Sequence, residues 1–239
     1  MRGDQLALYT IGASLRNVSL AAGYNTKEGA AFAPMGERMD AQAFAAYVKH
    51  ILYEGVHQRP VNETCLNSVM EVYPPSSTDD NRPLAADFLG DLSFICGSRF
   101  ITRMHSTLAV QPAFSDGRST FMYRFNAGGR PGGWGVEHGD EVPFAFDQPS
   151  WSETGAFTPA EEDLSEAMGA LWASFAATRL PAAGGFAWPA YHNHSKYDDT
   201  DVEMLLGTSA AKASLTSEAF PRAHFCNFWT NFTDAGCSP

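Results

Sequence analysis

Short runs of strand character alternate along this chain with longer segments whose apolar residues recur every three to four positions, an order that predicts an α/β protein with a central sheet. Residues 17–25 (NVSLAAGYN) form an apolar run closed by glycine and asparagine, which predicts a buried strand feeding a loop that contains Glu28. Residues 120–126 (TFMYRFN) predict a second strand, followed by a glycine-rich loop. Asp40 stands at the N-cap of a helix whose inner face is Phe44, Tyr47, Val48, Ile51 and Leu52, with Gly55 at its C-terminal end. The loop Pro74–Asp80 separates one helix from another spanning roughly Leu84 to Leu108, with Phe88, Leu92, Ile95, Phe100 and Ile101 as its apolar residues. Thr158, Pro159 and Glu161 combine an N-cap, a first-turn proline and a capping-box glutamate ahead of Leu164, Met168, Leu171, Trp172 and Phe175. That helix should end at Pro181, Gly184 and Gly185, and Phe225, Phe228, Trp229 and Phe232 predict a last amphipathic helix.

The 239 residues are 44% hydrophobic, enough for a packed core, and no repeat or low-complexity linker divides them. Sixteen Lys and Arg stand against 27 Asp and Glu for a net charge of -11, which excludes a phosphate-tracking surface and so a nucleic-acid partner. No apolar run approaches the roughly 18 residues of a membrane span. Cys65, Cys96, Cys226 and Cys237 are too far apart for a zinc ribbon or a C-x-x-C redox pair; long-range disulfides fit them better. With four N-x-S/T sequons, at Asn17, Asn62, Asn193 and Asn231, they point to an oxidising compartment, although the stretch MRGDQLALYT has neither the long apolar run nor the small-residue cleavage site expected of a cleavable signal. Asn17 falls in the expected strand, which leaves Asn62 and Asn193 as the better glycosylation candidates. His192 and His194 lack partners at metal-ligand spacing. Asp198, Asp199, Asp201 and Glu203 lack the glycine of a calcium loop and read as a solvated acidic turn. No metal or cofactor site is expected.

His138 lies on the loop beyond the second strand, in Trp134-Gly-Val-Glu-His-Gly-Asp-Glu-Val-Pro-Phe-Ala-Phe146, where a group titrating near neutrality suits a general base. The run HGDEVPFAF resembles the histidine motif of the type-B carboxylesterase and cholinesterase family of α/β-hydrolases. Further blocks resemble that family in its order from about residue 6 to 232: NVSLAAGYNTKEGAAF, FLGDLSFICGSRF, LSEAMGALWASFAATRLP with FAWPAY, and HFCNFWTNF.

The resemblance implies the C-terminal portion of an α/β-hydrolase fold over residues 6–232, an incomplete central sheet flanked by helices, with a short tail at 233–239. It implies Glu28 as the acid that orients His138, His138 as the base, and a Cys96–Cys226 disulfide. The family's serine belongs in a G-x-S-x-G elbow, and no such pattern occurs; Gly12–Arg16 and Gly207–Ala211 begin correctly but lack the closing glycine. The expectation is therefore a carboxylic ester hydrolase whose serine and oxyanion loop lie in an N-terminal half that this chain requires, and an inert chain without it. Phe32 and Ala31 map to a substrate pocket where cholinesterases carry two aromatics. With alanine at one position, cation-π capture of a quaternary ammonium is weakened, and an uncharged small-molecule ester is expected. The alternative is a non-catalytic adhesion or interaction module on the same fold. Cys65 and Cys237 either pair with each other, or Cys237 links two chains into a dimer. A secreted or secretory-pathway protein is expected.

Overall fold

The computed structural model describes residues 18–34, 36–54, 62–109, 119–184, 186–191, 201–209, 212–234 and 237. β1 (Leu20–Asn25) runs into a 3-10 turn, Glu28–Phe32. α1 (Ala41–Lys49) starts where the Asp40 carboxylate accepts from Ala43 N, and its last turns widen into a π-helix, His50–Glu54. α2 (Glu63–Val72) begins on the side chain of Asn62, which accepts from Cys65 N. α3 (Arg82–Gly90) continues through a π-helical turn, Asp91–Ile95, into α4 (Cys96–Ala109). β2 (Thr120–Asn126) has the expected bounds. After the short α5 (Val142–Ala145) comes α6 (Pro159–Thr178), opened by the predicted capping box and stopped by Arg179 in the left-handed region at φ 66°. A small ladder of β3 (Ala182–Ala183) and β4 (Phe186–Ala187) precedes a hairpin of β5 (Val202–Ser209) and β6 (Lys212–Ala219), and α7 (Ala223–Asp234) completes the order.

The sheet has the order β1-β2-β5-β6, parallel between β1, β2 and β5 and antiparallel at the β5–β6 hairpin. Side chains alternate across it. Phe121, Phe125, Met204 and Leu206 meet Leu164, Met168 and Leu171 of α6 on one face. Tyr24 and Met122 on the other face meet Ile95, Phe220 and Cys226. A third cluster is wholly helical, joining Phe44, Val48, Tyr73, Phe88, Trp229 and Phe232. The periodicity of α1, α6 and α7 is thereby realised as core. On α4 it is not, since Phe100 and Ile101 are 42% and 50% exposed: the π-turn adds a residue to the helical register, and the faces before and after it no longer align.

Two disulfides tie this framework. Cys96–Cys226 joins the start of α4 to α7, as the resemblance implied, and Cys65–Cys237 joins α2 to a residue three positions past the end of α7. The intermolecular option for Cys237 is corrected by this pairing, because its sulfur is already engaged within the chain. The acidic turn expected around residue 201 is also corrected. Asp201 and Glu203 are each 1% exposed, Asp201 receiving Arg99, Arg103 and Tyr191, and Glu203 receiving Arg124 and Tyr24. Glu203 lies within β5, a strand that its charge hides from the hydrophobic pattern. Gly55, Gly12–Arg16, the sequons at Asn17 and Asn193, His192, His194, Asp198 and Asp199 lie outside the described residues.

Candidate active site

β1 and β2 are parallel neighbours in register, Asn25 beside Phe125, so the loops leaving their C-terminal ends emerge side by side. The first carries Glu28 and the second His138. The two loops are stitched by Lys27 N donating to Val136 O at 2.8 Å. Glu28 sits at the head of the 3-10 turn, 6% exposed, and its Oε2 lies 2.7 Å from His138 Nδ1. Its Oε1 accepts from the backbone N–H of Asn25, also at 2.7 Å. Both carboxylate oxygens are thus committed. Burial raises the Glu28 carboxyl above the ordinary range, against the opposing pull of the Asn25 N–H and of His138, and the Glu141 charge raises it further.

Two backbone features hold this geometry. The turn bearing Glu28 lies so close to α3 that a Cβ on Gly29 would stand 2.0 Å from Ala86 O and 2.6 Å from Gly90 N. Gly139, immediately after the histidine, has φ +94°, a conformation that favours glycine, and it starts a turn closed by Val142 N donating to Gly139 O. Asp140 secures the same loop by accepting from Glu137 N at 2.7 Å, and burial raises its carboxyl.

His138 is half exposed at 46% and forms part of the wall of a cleft of about 440 Å³ shared with Val142, Pro143, Phe144 and Trp151. The aromatic rings of Phe94 and Phe32 lie 4.5 and 5.4 Å from the imidazole and stack on each other at 5.5 Å. Phe32 is 50% exposed, so it is not a core residue, and Ala31 beside it is exposed as well. With Nδ1 engaged by a carboxylate, Nε2 is the ring nitrogen left for proton transfer, an arrangement compatible with an oriented base.

Glu28, His138 and Phe32, all singled out from the sequence, come together in the structure. Two further residues at the site are not evident from the sequence. Phe94 is hidden because a continuous helix from 84 to 108 turns it off the apolar face, whereas the π-turn, closed by Cys96 N donating to Asp91 O, aims it at His138. Asn25 is hidden among strand-end residues, although an asparagine three positions before a candidate acid is a usable hint. Among the described residues no cluster of His, Cys, Asp and Glu has the form of a metal site, and no helix is long and apolar enough to cross a membrane.

Comparison with known proteins extends the likeness across the chain. A profile described as the Carboxylesterase family matches residues 4–233. Bile salt-activated lipase of Homo sapiens is 24% identical over 241 residues, which take in 95% of this chain and 30% of that protein. Acetylcholinesterase of Bungarus fasciatus is 29% identical over 163 residues, 64% of this chain and 24% of that protein. The crystal structure of Aspergillus niger EstA superposes with a TM-score of 0.68 at 20% identity, over 91% of this chain and 40% of the other. The chain therefore spans less than a third of the length of the curated relatives it matches.

Proposed function

Because the chain belongs to the carboxylesterase family and has the α/β-hydrolase fold of its solved relatives, we propose that it supplies the acid and the base of a carboxylic ester hydrolase. The observation that carries this reading is the buried Glu28 carboxylate hydrogen-bonded at 2.7 Å to the exposed imidazole of His138. In the proposed reaction His138 Nε2 takes the proton of a serine hydroxyl as its oxygen attacks the ester carbonyl. Glu28 holds the tautomer with the proton on Nδ1 and stabilises the imidazolium. Nε2 then protonates the departing alkoxide, leaving an acyl-serine. A water molecule, deprotonated by the same nitrogen, releases the carboxylic acid and restores the serine.

No G-x-S-x-G elbow occurs in the 239 residues, so in this reading the serine and the oxyanion donors come from polypeptide outside them, and the 239 residues alone are inactive. The proposed substrate is an uncharged ester. Asp140, Glu153 and Glu161 line the cleft beside His138 and disfavour an anion, while Ala31 offers no aromatic face for a quaternary ammonium. Phe32 is proposed as an apolar wall for the substrate next to the base. The two disulfides favour a secretory route. Glycosylation is proposed at Asn62 and Asn193; at exposed Asn62 the cap uses Oδ1, which leaves Nδ2 for the glycan.

The test is hydrolysis of a short-chain aryl ester by a protein joining this chain to an upstream segment with the serine elbow. Turnover that His138→Ala abolishes and the isolated chain lacks supports the reading. Turnover indifferent to His138→Ala, or no turnover alongside reproducible capture of a protein partner, overturns it in favour of an interaction module.

A further inference from the structure

Asn25 is the last residue of β1, is 1% exposed, and has no part in the proton transfers above. Its three donated hydrogen bonds all reach the surroundings of the acid and the base. The peptide N–H donates to Glu28 Oε1 at 2.7 Å. The side-chain Nδ2 donates to Glu137 O, the carbonyl just before His138, at 2.6 Å, and to a carboxylate oxygen of Glu141, three residues after it. Glu137 O and Glu141 Oε2 only accept, so the nitrogen end of the amide faces them, and its two N–H groups match two acceptors. One residue thereby grips the carboxylate through its backbone and brackets the histidine from both sides through its side chain.

We propose that Asn25 is a positioning residue that sets the distance between Glu28 and His138. The proposal rests on the catalytic reading of that pair and deepens it. The physical reason lies in the fold. Glu28 follows an interior of hydrogen-bonded strand, but His138 sits on a long loop after β2 whose backbone is held near the ring by local turns and by one tie to the first loop, Lys27 N to Val136 O, two residues before the ring. A loop tied across at one point before the ring still pivots about that tie, and Nδ1 moves with it. A buried amide bonded on both sides of the histidine removes that freedom. It also compensates the Glu141 carboxylate, whose charge raises the Glu28 carboxyl when both are ionised. No other residue among those described donates both to the acid and to the histidine loop through hydrogen bonds of this length.

The discriminating variant is Asn25→Asp, which keeps shape and the peptide N–H but replaces two donors with acceptors. In the nucleophile-bearing protein, kcat should fall about 100-fold, the usual effect of misplacing a reacting group by about 1 Å, with KM within twofold. Proton NMR of the chain itself should show the far-downfield Nδ1 proton of His138 shifted upfield or lost, the outcome also expected of Glu28→Gln. Adding Glu141→Gln to Asn25→Asp gives the new acceptor a donor and should return part of the lost kcat. Where Asn25→Asp unfolds under its added charge, Asn25→Ala removes the same donors without it and carries the same expectation. A folded variant that retains the downfield proton and wild-type kcat overturns the proposal and leaves the ester hydrolase reading intact. If the nucleophile-bearing protein has no activity at all, the hydrolase reading fails, while the NMR comparison still decides whether Asn25 positions the pair.

Discussion

At the scale of single residues, the acid is placed by what lies behind it as well as by its own bonds. Gly29 is pressed against the α3 backbone at Ala86 and Gly90, and neither backbone atom can yield as a side-chain tip would. Gly29→Ala should therefore push the 3-10 turn outward, lowering kcat of the nucleophile-bearing protein by about 100-fold and stability by about 1–3 kcal/mol. Steady-state kinetics and thermal melts measure the two effects separately. Glu28→Gln tests the carboxylate without moving the turn. It should cost about 10⁴-fold in kcat with KM little changed, because the amide cannot stabilise the imidazolium or fix the same tautomer. Glu28 and His138 were legible as candidates because their sequence surroundings resemble a family motif. Phe94 was not, since its part depends on a π-turn with no local sequence mark.

Between elements, the sheet carries a polar row that the hydrophobic pattern conceals. Arg124 of β2 reaches Glu203 of β5 at 2.7 Å and Glu218 of β6 at 2.6 Å, while Tyr24 of β1 donates to the same Glu203 at 2.7 Å, so one guanidinium, two carboxylates and one phenol join all four strands. Burial drives the Glu203 carboxyl up to about 7, with Arg124 and Tyr24 opposing the rise. Folded protein then holds a proton between pH about 4.5 and 7 that the unfolded chain has released. Stability should fall as pH rises through that window, by roughly 3 kcal/mol at most. Glu203→Gln should reduce the slope, which denaturant titrations at pH 4.5, 5.5 and 7 will show; an unchanged slope rejects the assignment. The same row explains why β5 and β6 escaped the sequence reading. A glutamate inside a strand breaks the apolar alternation, and only the partner strand's arginine makes it admissible in the core.

For the whole molecule, the disulfides close spans of 130 and 172 residues and pin α7 and Cys237, three positions past it, against α4 and α2. Replacing Cys96 and Cys226 together by serine should lower stability by about 2–5 kcal/mol, read from chemical denaturation, with a comparable loss for Cys65 and Cys237. A chain expressed with its cysteines reduced should lose both contributions. What the sequence by itself determined are the features written in a few adjacent residues: the cap of Asp40, the capping box at Thr158, the strand 120–126, the periodic faces of α1, α6 and α7, and the motif around His138. These depend on interactions within one or two turns, which local composition encodes. Only the tertiary structure decided which cysteine meets Cys237, why Asp201 and Glu203 are buried, which ring covers the imidazole, and that Asn25 ties the acid to the histidine loop. Each of those depends on partners brought together by the order of strands in the sheet, and a hydrogen bond or disulfide between distant residues leaves no trace in the sequence around either end.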